Sequence, residues 1–176
     1  MKIVLTGFMG TGKTVVGARL AERLSLSFVD LDRLIEGEAG LRVTEVFASE
    51  GEAGFRRRER ELIAALANRR DCVIATGGGA VLDAENVHNL KMGGVIVCLR
   101  AEPVIILQRI GTDDRRPLLE VQGRLARIRE LLEMRAAAYA GADLSIDTST
   151  LNVEEVVDQI VLRLCLKPVG TRETGR

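Results

Sequence analysis

The chain has 176 residues, 47% hydrophobic and 28% charged, which makes one domain of ordinary size with enough apolar side chains for a core. Twenty-five basic residues balance twenty-five acidic ones, so no net field favours nucleic acid or an anionic membrane surface. No stretch approaches the ~20 apolar residues of a membrane span, and Met1-Lys2 leads into a short apolar run with no secretory pattern, so a cytoplasmic protein is expected.

Residues 2–6 read as a first strand, followed at once by Gly7-Phe8-Met9-Gly10-Thr11-Gly12-Lys13-Thr14. This is G-x-x-x-x-G-K-[ST], the phosphate-cradling P-loop, in the strand–loop–helix context it requires. Its glycines let backbone N–H groups turn towards a polyphosphate, and the helix N-terminus adds a favourable dipole. Lys13 can reach the β- and γ-phosphates, and the Thr14 hydroxyl can ligate Mg²⁺. The helix is expected over 13–24, with Val16, Leu20 and Leu24 four apart. Residues 27–32 read as a second strand. Helical segments follow around 34–39, 44–48 and 52–67, punctuated by Gly37, Gly40, Gly51 and Gly54.

A third strand, 72–76, ends in Gly77-Gly78-Gly79. Residues 84–91 read as helix. The run 94–99 is the most apolar strand and is expected at the centre of the sheet. Pro103 suits the first turn of a helix reaching about Arg109. Residues 111–119 are polar and turn-rich, and 123–139 form a charged amphipathic helix. After a last strand at 144–147, Val153, Val156, Val157, Ile160, Val161 and Leu164 mark a final helix, with Asn152 and Glu155 as its N-cap and N3 pair. Residues 167–176 are expected to be a frayed tail. Strands alternating with helices predict an α/β fold whose parallel sheet is covered on both faces, with ligands beyond the carboxyl ends of the strands. The P-loop, Asp30/Asp32 and Gly77–Gly79 all fall at such ends.

Mg²⁺ takes a carboxylate near the P-loop hydroxyl. The strands at 72–76 and 94–99 end at Thr76 and next to Arg100, so Asp30 is the best metal partner. If the second strand persists, Asp32 shares its face. Asp32 then accepts a proton from an attacking hydroxyl or holds that hydroxyl in line, or it caps the following helix. Arg56, in Phe55-Arg56-Arg57-Arg58-Glu59-Arg60, offers a planar fork for a substrate carboxylate and can pair with Glu59 one turn on, although such a charge run also reads as a solvated face. Gly77–Gly79 either lets a ligand approach the backbone or makes a tight turn. Arg116, in Arg115-Arg116-Pro117, can close over a transferring phosphoryl group, and Arg135 is a further candidate in a chain segment that also holds Arg109, Arg124, Arg127 and Arg129. Cys72, Cys98 and Cys165 have no zinc or C-x-x-C spacing and read as buried thiols in a reducing compartment. His88, the only histidine, reads as surface.

In order and spacing, Gly-Phe-Met-Gly-Thr-Gly-Lys-Thr, Asp30-Leu31-Asp32, Phe55-Arg56-Arg57-x-Glu59, Gly77-Gly78-Gly79, Arg116-Pro117-Leu118-Leu119 and Arg135-x-x-x-Tyr139 resemble the shikimate kinase family, from about residue 2 to 165. The resemblance implies a three-layer, parallel-sheet P-loop kinase fold like that of adenylate kinase, with a helical substrate-binding region at about 33–60 and a mobile lid at about 111–122 in a single domain, 1–166. It implies ATP-dependent phosphorylation of the shikimate 3-hydroxyl, on the way to chorismate and the aromatic amino acids, by a monomer. Carried over position by position, Asp32, Arg56, Gly78 and Arg135 are the shikimate contacts, with Asp32 also the base. Arg116 is the lid arginine on ATP. Gly10, Thr11, Gly12, Lys13, Thr14 and Val15 hold the phosphates, and Thr14 ligates Mg²⁺ with Asp30 beside it. Members of the family often place an arginine after the last strand, near the adenine. Residues 147–152 hold none, so the adenine contacts stay open.

Rival readings have less support. Another P-loop small-molecule kinase, for gluconate or a nucleotide, has no obvious use for the D-x-D, F-R-R-x-E and G-G-G set. A GTPase-type switch needs N-K-x-D, which is absent from the sequence. A module that has lost catalysis would not need Lys13, Thr14, Asp30, Asp32 and Arg116 intact.

Overall fold

The fold positions three loops side by side. In a computed structural model, residues 1–111 and 123–166 are described. The parallel sheet is five-stranded, in the order β2-β3-β1-β4-β5. Its strands are β1 (Lys2–Thr6), β2 (Ser27–Asp30), β3 (Cys72–Ala75), β4 (Gly94–Arg100) and β5 (Leu144–Asp147). The middle place belongs to β1, in register with Cys72–Ala75 on one side and Gly94–Cys98 on the other. The more apolar β4 is its neighbour, a correction to the expected centre. Burial on both faces is what makes the middle of each strand, Ile3–Leu5 and Ile96–Leu99, apolar.

The period of two along β1 divides the core. Ile3 and Leu5 pack towards α1 (Lys13–Leu24) and α7 (Val153–Arg163), with Val16, Leu20, Val157 and Ile160. Val4 packs on the other face with Ile35 of α2 (Leu31–Ala39), Phe55 and Ile63 of α3 (Val43–Leu66) and Leu90 of α4 (Ala84–Lys91). A third cluster joins Phe8, Cys98, Ile106 of α5 (Pro103–Ile110) and Ile128 and Leu131 of α6 (Arg124–Ala140). Glycine punctuation works as expected in part. Gly40 caps α2 in the left-handed conformation, and Gly51 (φ 69°, ψ −178°) breaks α3 into the two helices read from the sequence. The Asn152–Glu155 capping box forms in both directions, at 3.1 and 2.8 Å.

Three readings need correction. The second strand stops at Asp30, because the Asp30 carboxylate accepts the Arg33 N–H at 3.3 Å and starts α2. Asp32 therefore sits in the first turn of a helix, and the cap is Asp30. Cys72 and Cys98 are buried, but Cys165 is exposed, just past the C-cap of α7 at Leu164. A short 3-10 turn, Ala80–Leu82, follows the glycines; three residues carry no readable period. His88 is exposed, as expected. No helix among the described residues is long and apolar enough to cross a membrane. Residues 112–122, including Arg116 and nearly all of the expected lid, and the tail from 167 lie outside the described residues.

Candidate active site

The site lies beyond the carboxyl ends of β1, β3 and β2, three neighbours in the sheet. At the first, Gly7 turns with φ 129° against β4, and a Cβ there would sit 2.1 Å from the Leu99 carbonyl oxygen. Only glycine fits. The loop holds its own shape: Thr11 Oγ1 donates to the Phe8 carbonyl at 2.7 Å, and Lys13 Nζ donates to the Gly7 and Phe8 carbonyls at 2.9 Å each. With α1 beginning at Lys13, the first-turn N–H groups and the ammonium sit at one loop, an arrangement able to bind an anion.

At the end of β2, Asp30 Oδ2 accepts the Thr14 hydroxyl at 2.8 Å. The hydroxyl and carboxylate expected to hold a cation are therefore adjacent. Asp32, in the first turn of α2, lines the same cavity of about 180 Å³ with Lys13, Thr14, Asp30, Thr76 and Gly78. The two aspartates converge through a helix start, not through a shared strand face.

The end of β3 supplies the third wall. Arg56 on α3 lies against Gly79 so closely that a Cβ there would meet its guanidinium at 2.5–2.9 Å. Arg56 donates to Glu59 Oε2 at 2.7 Å and to Glu52 Oε1 at 3.4 Å. Glu59 is fully buried, and its Oε1 has no hydrogen-bond partner among the described residues. Burial pushes its carboxyl above the ordinary value, and the nearby Asp32 charge adds to the rise, against the pull of Arg56. The rest of the arginine run is surface pairing: Arg57 and Arg58 bind Glu50 at 3.3 and 2.6 Å, and Arg60 meets Asp83 at 3.4 Å. The solvated-face reading fits Arg57 and Arg60, whereas Arg56 lies against the Gly79 backbone.

From α6, Arg135 is 7% exposed, and its guanidinium lies 5.6 Å above the Phe8 ring. Arg135 Nη1 and Tyr139 Oη both donate to the Gly78 carbonyl, at 3.4 and 2.7 Å. Burial raises the Tyr139 hydroxyl above its ordinary value, which keeps the proton on as a donor. Asp32, Arg56, Gly78 and Arg135, far apart in sequence, are therefore brought together beside the P-loop.

A second cavity of about 450 Å³ continues from Gly10, Thr11 and Val15 to Leu151 and Asn152. Arg109 lines it from the last turn of α5, donating to Thr148 Oγ1 at 2.9 Å. Thr148 in turn donates to the Thr11 carbonyl at 3.3 Å. An arginine does reach the region where residues 147–152 lack one. Neither this contact, nor the Tyr139 bond, nor the burial of Glu59 was readable beforehand, since each depends on which helix end meets which strand end.

A P-loop at the carboxyl end of the central strand of a parallel sheet, with a hydroxyl–carboxylate pair and a facing wall of arginines, defines a phosphotransferase of the P-loop kinase class. The shikimate kinase family profile matches residues 9–165. A shikimate kinase of Caldanaerobacter subterraneus subsp. tengcongensis is 46% identical over 159 residues, 90% of this chain and 93% of that one. One from Moorella thermoacetica is 50% identical over 159 residues, 90% and 91% of the two chains. The solved structure of Acinetobacter baumannii shikimate kinase in complex with shikimate superposes with a TM-score of 0.90 at 38% identity, covering 93% of this chain and 92% of that one. The chain belongs to the shikimate kinase family.

Proposed function

We propose that the protein transfers the γ-phosphate of ATP to the 3-hydroxyl of shikimate, giving 3-phosphoshikimate and ADP in aromatic amino-acid biosynthesis. The observation that carries this reading is the convergence of Arg56 and Arg135 on the Gly78–Gly79 backbone, one cavity wall away from Lys13. A carboxylated, polyhydroxylated acceptor uses both arginines, whereas a neutral acceptor uses neither. Gluconate is carboxylated and polyhydroxylated too and a nucleotide is anionic, so it is the family assignment that favours shikimate over them.

In this reading Gly10 to Val15 hold the ATP phosphates and Lys13 spans the transferring group. The Arg109 and Leu151 cavity takes the base. Arg56 and Arg135 bind the shikimate carboxylate. Asp32 orients the 3-hydroxyl and takes its proton as the new O–P bond forms and the bond to the β-phosphate oxygen breaks, releasing ADP. Thr14 and Asp30 fit Mg²⁺: both are hard oxygen donors, already adjacent, and this ion draws its other ligands from phosphate and water. When bound, Mg²⁺ would neutralise charge on the phosphate oxygens. The chain acts as one domain, 1–166, with its acceptor-binding region at 33–60, as a cytoplasmic monomer without nucleic-acid or membrane partners. The unpaired buried Cys72 and Cys98 suit that compartment. The closing of residues 111–122 over ATP, with Arg116 on its phosphates, rests on the family resemblance. ADP release coupled to NADH oxidation, with ATP, Mg²⁺ and shikimate, tests the reading. Turnover with gluconate and none with shikimate would refute it.

A further inference from the structure

Behind the acceptor wall lies a cavity that the phosphoryl-transfer reading does not use. Its volume is about 400 Å³, and its walls include Thr6, Val81, Val87, Ile96, Ala138 and Gly141. It opens between the 3-10 turn that follows Gly79 and the end of α6 just past Arg135. Alanines and a glycine on that end of α6 leave the space. Asn86 stiffens the opposite wall, its Nδ2 donating to the Ala80 carbonyl at 3.0 Å.

The floor is polar at one point. Thr6 is the last residue of β1 and lies on the Val4 face of the sheet by the period of two. It is 1% exposed, and its Oγ1 has no hydrogen-bond partner among the described residues. A buried hydroxyl left in that state costs free energy until a group satisfies it. No charged side chain lines the cavity among the described residues, so a carboxylate or phosphate would find no counter-charge there. A cavity of about 150 Å³ already accepts benzene when its walls are apolar. This one has room for a bicyclic molecule.

We propose that this cavity is a second ligand site, taking a small uncharged apolar molecule that carries one hydrogen-bonding group, which meets Thr6 Oγ1 at the floor. Such an occupant touches the turn after Gly79 and the helix that carries Arg135 and Tyr139, without entering the nucleotide or acceptor cavities.

Indole, an apolar bicycle with one N–H donor, is the probe, and benzothiophene is its counterpart of nearly the same shape without the donor. Methyl ¹H–¹³C spectra of the full chain, titrated with each, should show saturable shifts at Val81, Val87, Ile96 and Ala138. Indole should bind about two- to tenfold tighter than benzothiophene, the span of one net hydrogen bond. Thr6→Val should bring the two to parity, and Ala138→Leu should remove both. Saturating ADP with shikimate should leave the indole shifts in place. Displacement by ADP, or equal binding of both probes that Thr6→Val does not alter, would overturn the proposal, as would no saturable shift at these methyls. If Ala138→Leu does not fold, the probe pair and Thr6→Val decide.

Discussion

Arg56 and Glu59 are 2.7 Å apart in unequal surroundings, the arginine partly open and the glutamate sealed. The folded chain holds the Glu59 proton more tightly than the unfolded one, whose carboxyl titrates near 4.5. Its stabilising contribution is therefore complete below that value and lost as pH rises through the elevated one. Glu59→Gln has no such loss. The Tm of the wild type should fall relative to Glu59→Gln as pH climbs from 4.5 towards neutrality, while the variant's KM for shikimate rises because Arg56 has a weaker anchor. A Tm difference moving the other way with pH would mean that the ion pair outweighs burial. Asp32 calls for a different measurement. Since Asp30 is the helix cap, Asp32→Asn should keep its Tm and its ATP affinity yet lose kcat by about 10²-fold or more. A drop in Tm with kcat unchanged would make Asp32 structural.

At the scale of elements, most of the layout was legible because each strand and helix carries its own period: Val16, Leu20 and Leu24 mark α1, and the Asn152–Glu155 pair opens α7 where expected. The P-loop was legible because its chemistry is local. What escaped was contact between elements. Whether Glu59 faces solvent or core depends on where α3 packs, and the Arg109–Thr148 bond depends on α5 ending beside β5. The end of β2 was misread because the apolar Leu31 continues the strand's pattern, while the Asp30 carboxylate, by capping α2, decides otherwise. The final helix offers a direct check. Asn152→Ala removes the side-chain acceptor of the box and should lower stability by about 1 kcal/mol, or a Tm about 2–4 °C lower in a chain of this size. A thermal melt with no shift would show that packing of Val156, Val157 and Ile160 alone holds α7.

For the whole molecule, charge is balanced twice over. The chain sums to zero, and the acceptor wall sets Arg56 and Arg135 beside the acidic side chains of Asp32 and Glu59. A small carboxylate is then captured by fork geometry and not drawn in by a long-range field. The KM for shikimate should change less than about twofold between roughly 0.05 and 0.5 M KCl, a range over which screening of a net positive field would weaken binding steeply. A steep rise in KM with salt, in initial-rate measurements, would show that a field does the capturing.

The helix ends on either side of residues 112–122 bear on how this chain tolerates change. Gly111 leaves α5 with φ 58°, Gly123 enters α6 with φ 94°, and Arg124 Nη1 donates to the Gly111 carbonyl at 2.9 Å. The two feet of the connection are thus held side by side by the framework. Loop-closure entropy then grows only logarithmically with what is strung between them, about 0.6 kcal/mol per doubling of length. The length between these two feet should therefore bear little on stability. A five-residue Gly/Ser insertion after Pro117 should lower Tm by no more than about 2 °C, whatever it does to turnover. A larger drop in a melting experiment would show that these residues belong to the cooperative unit.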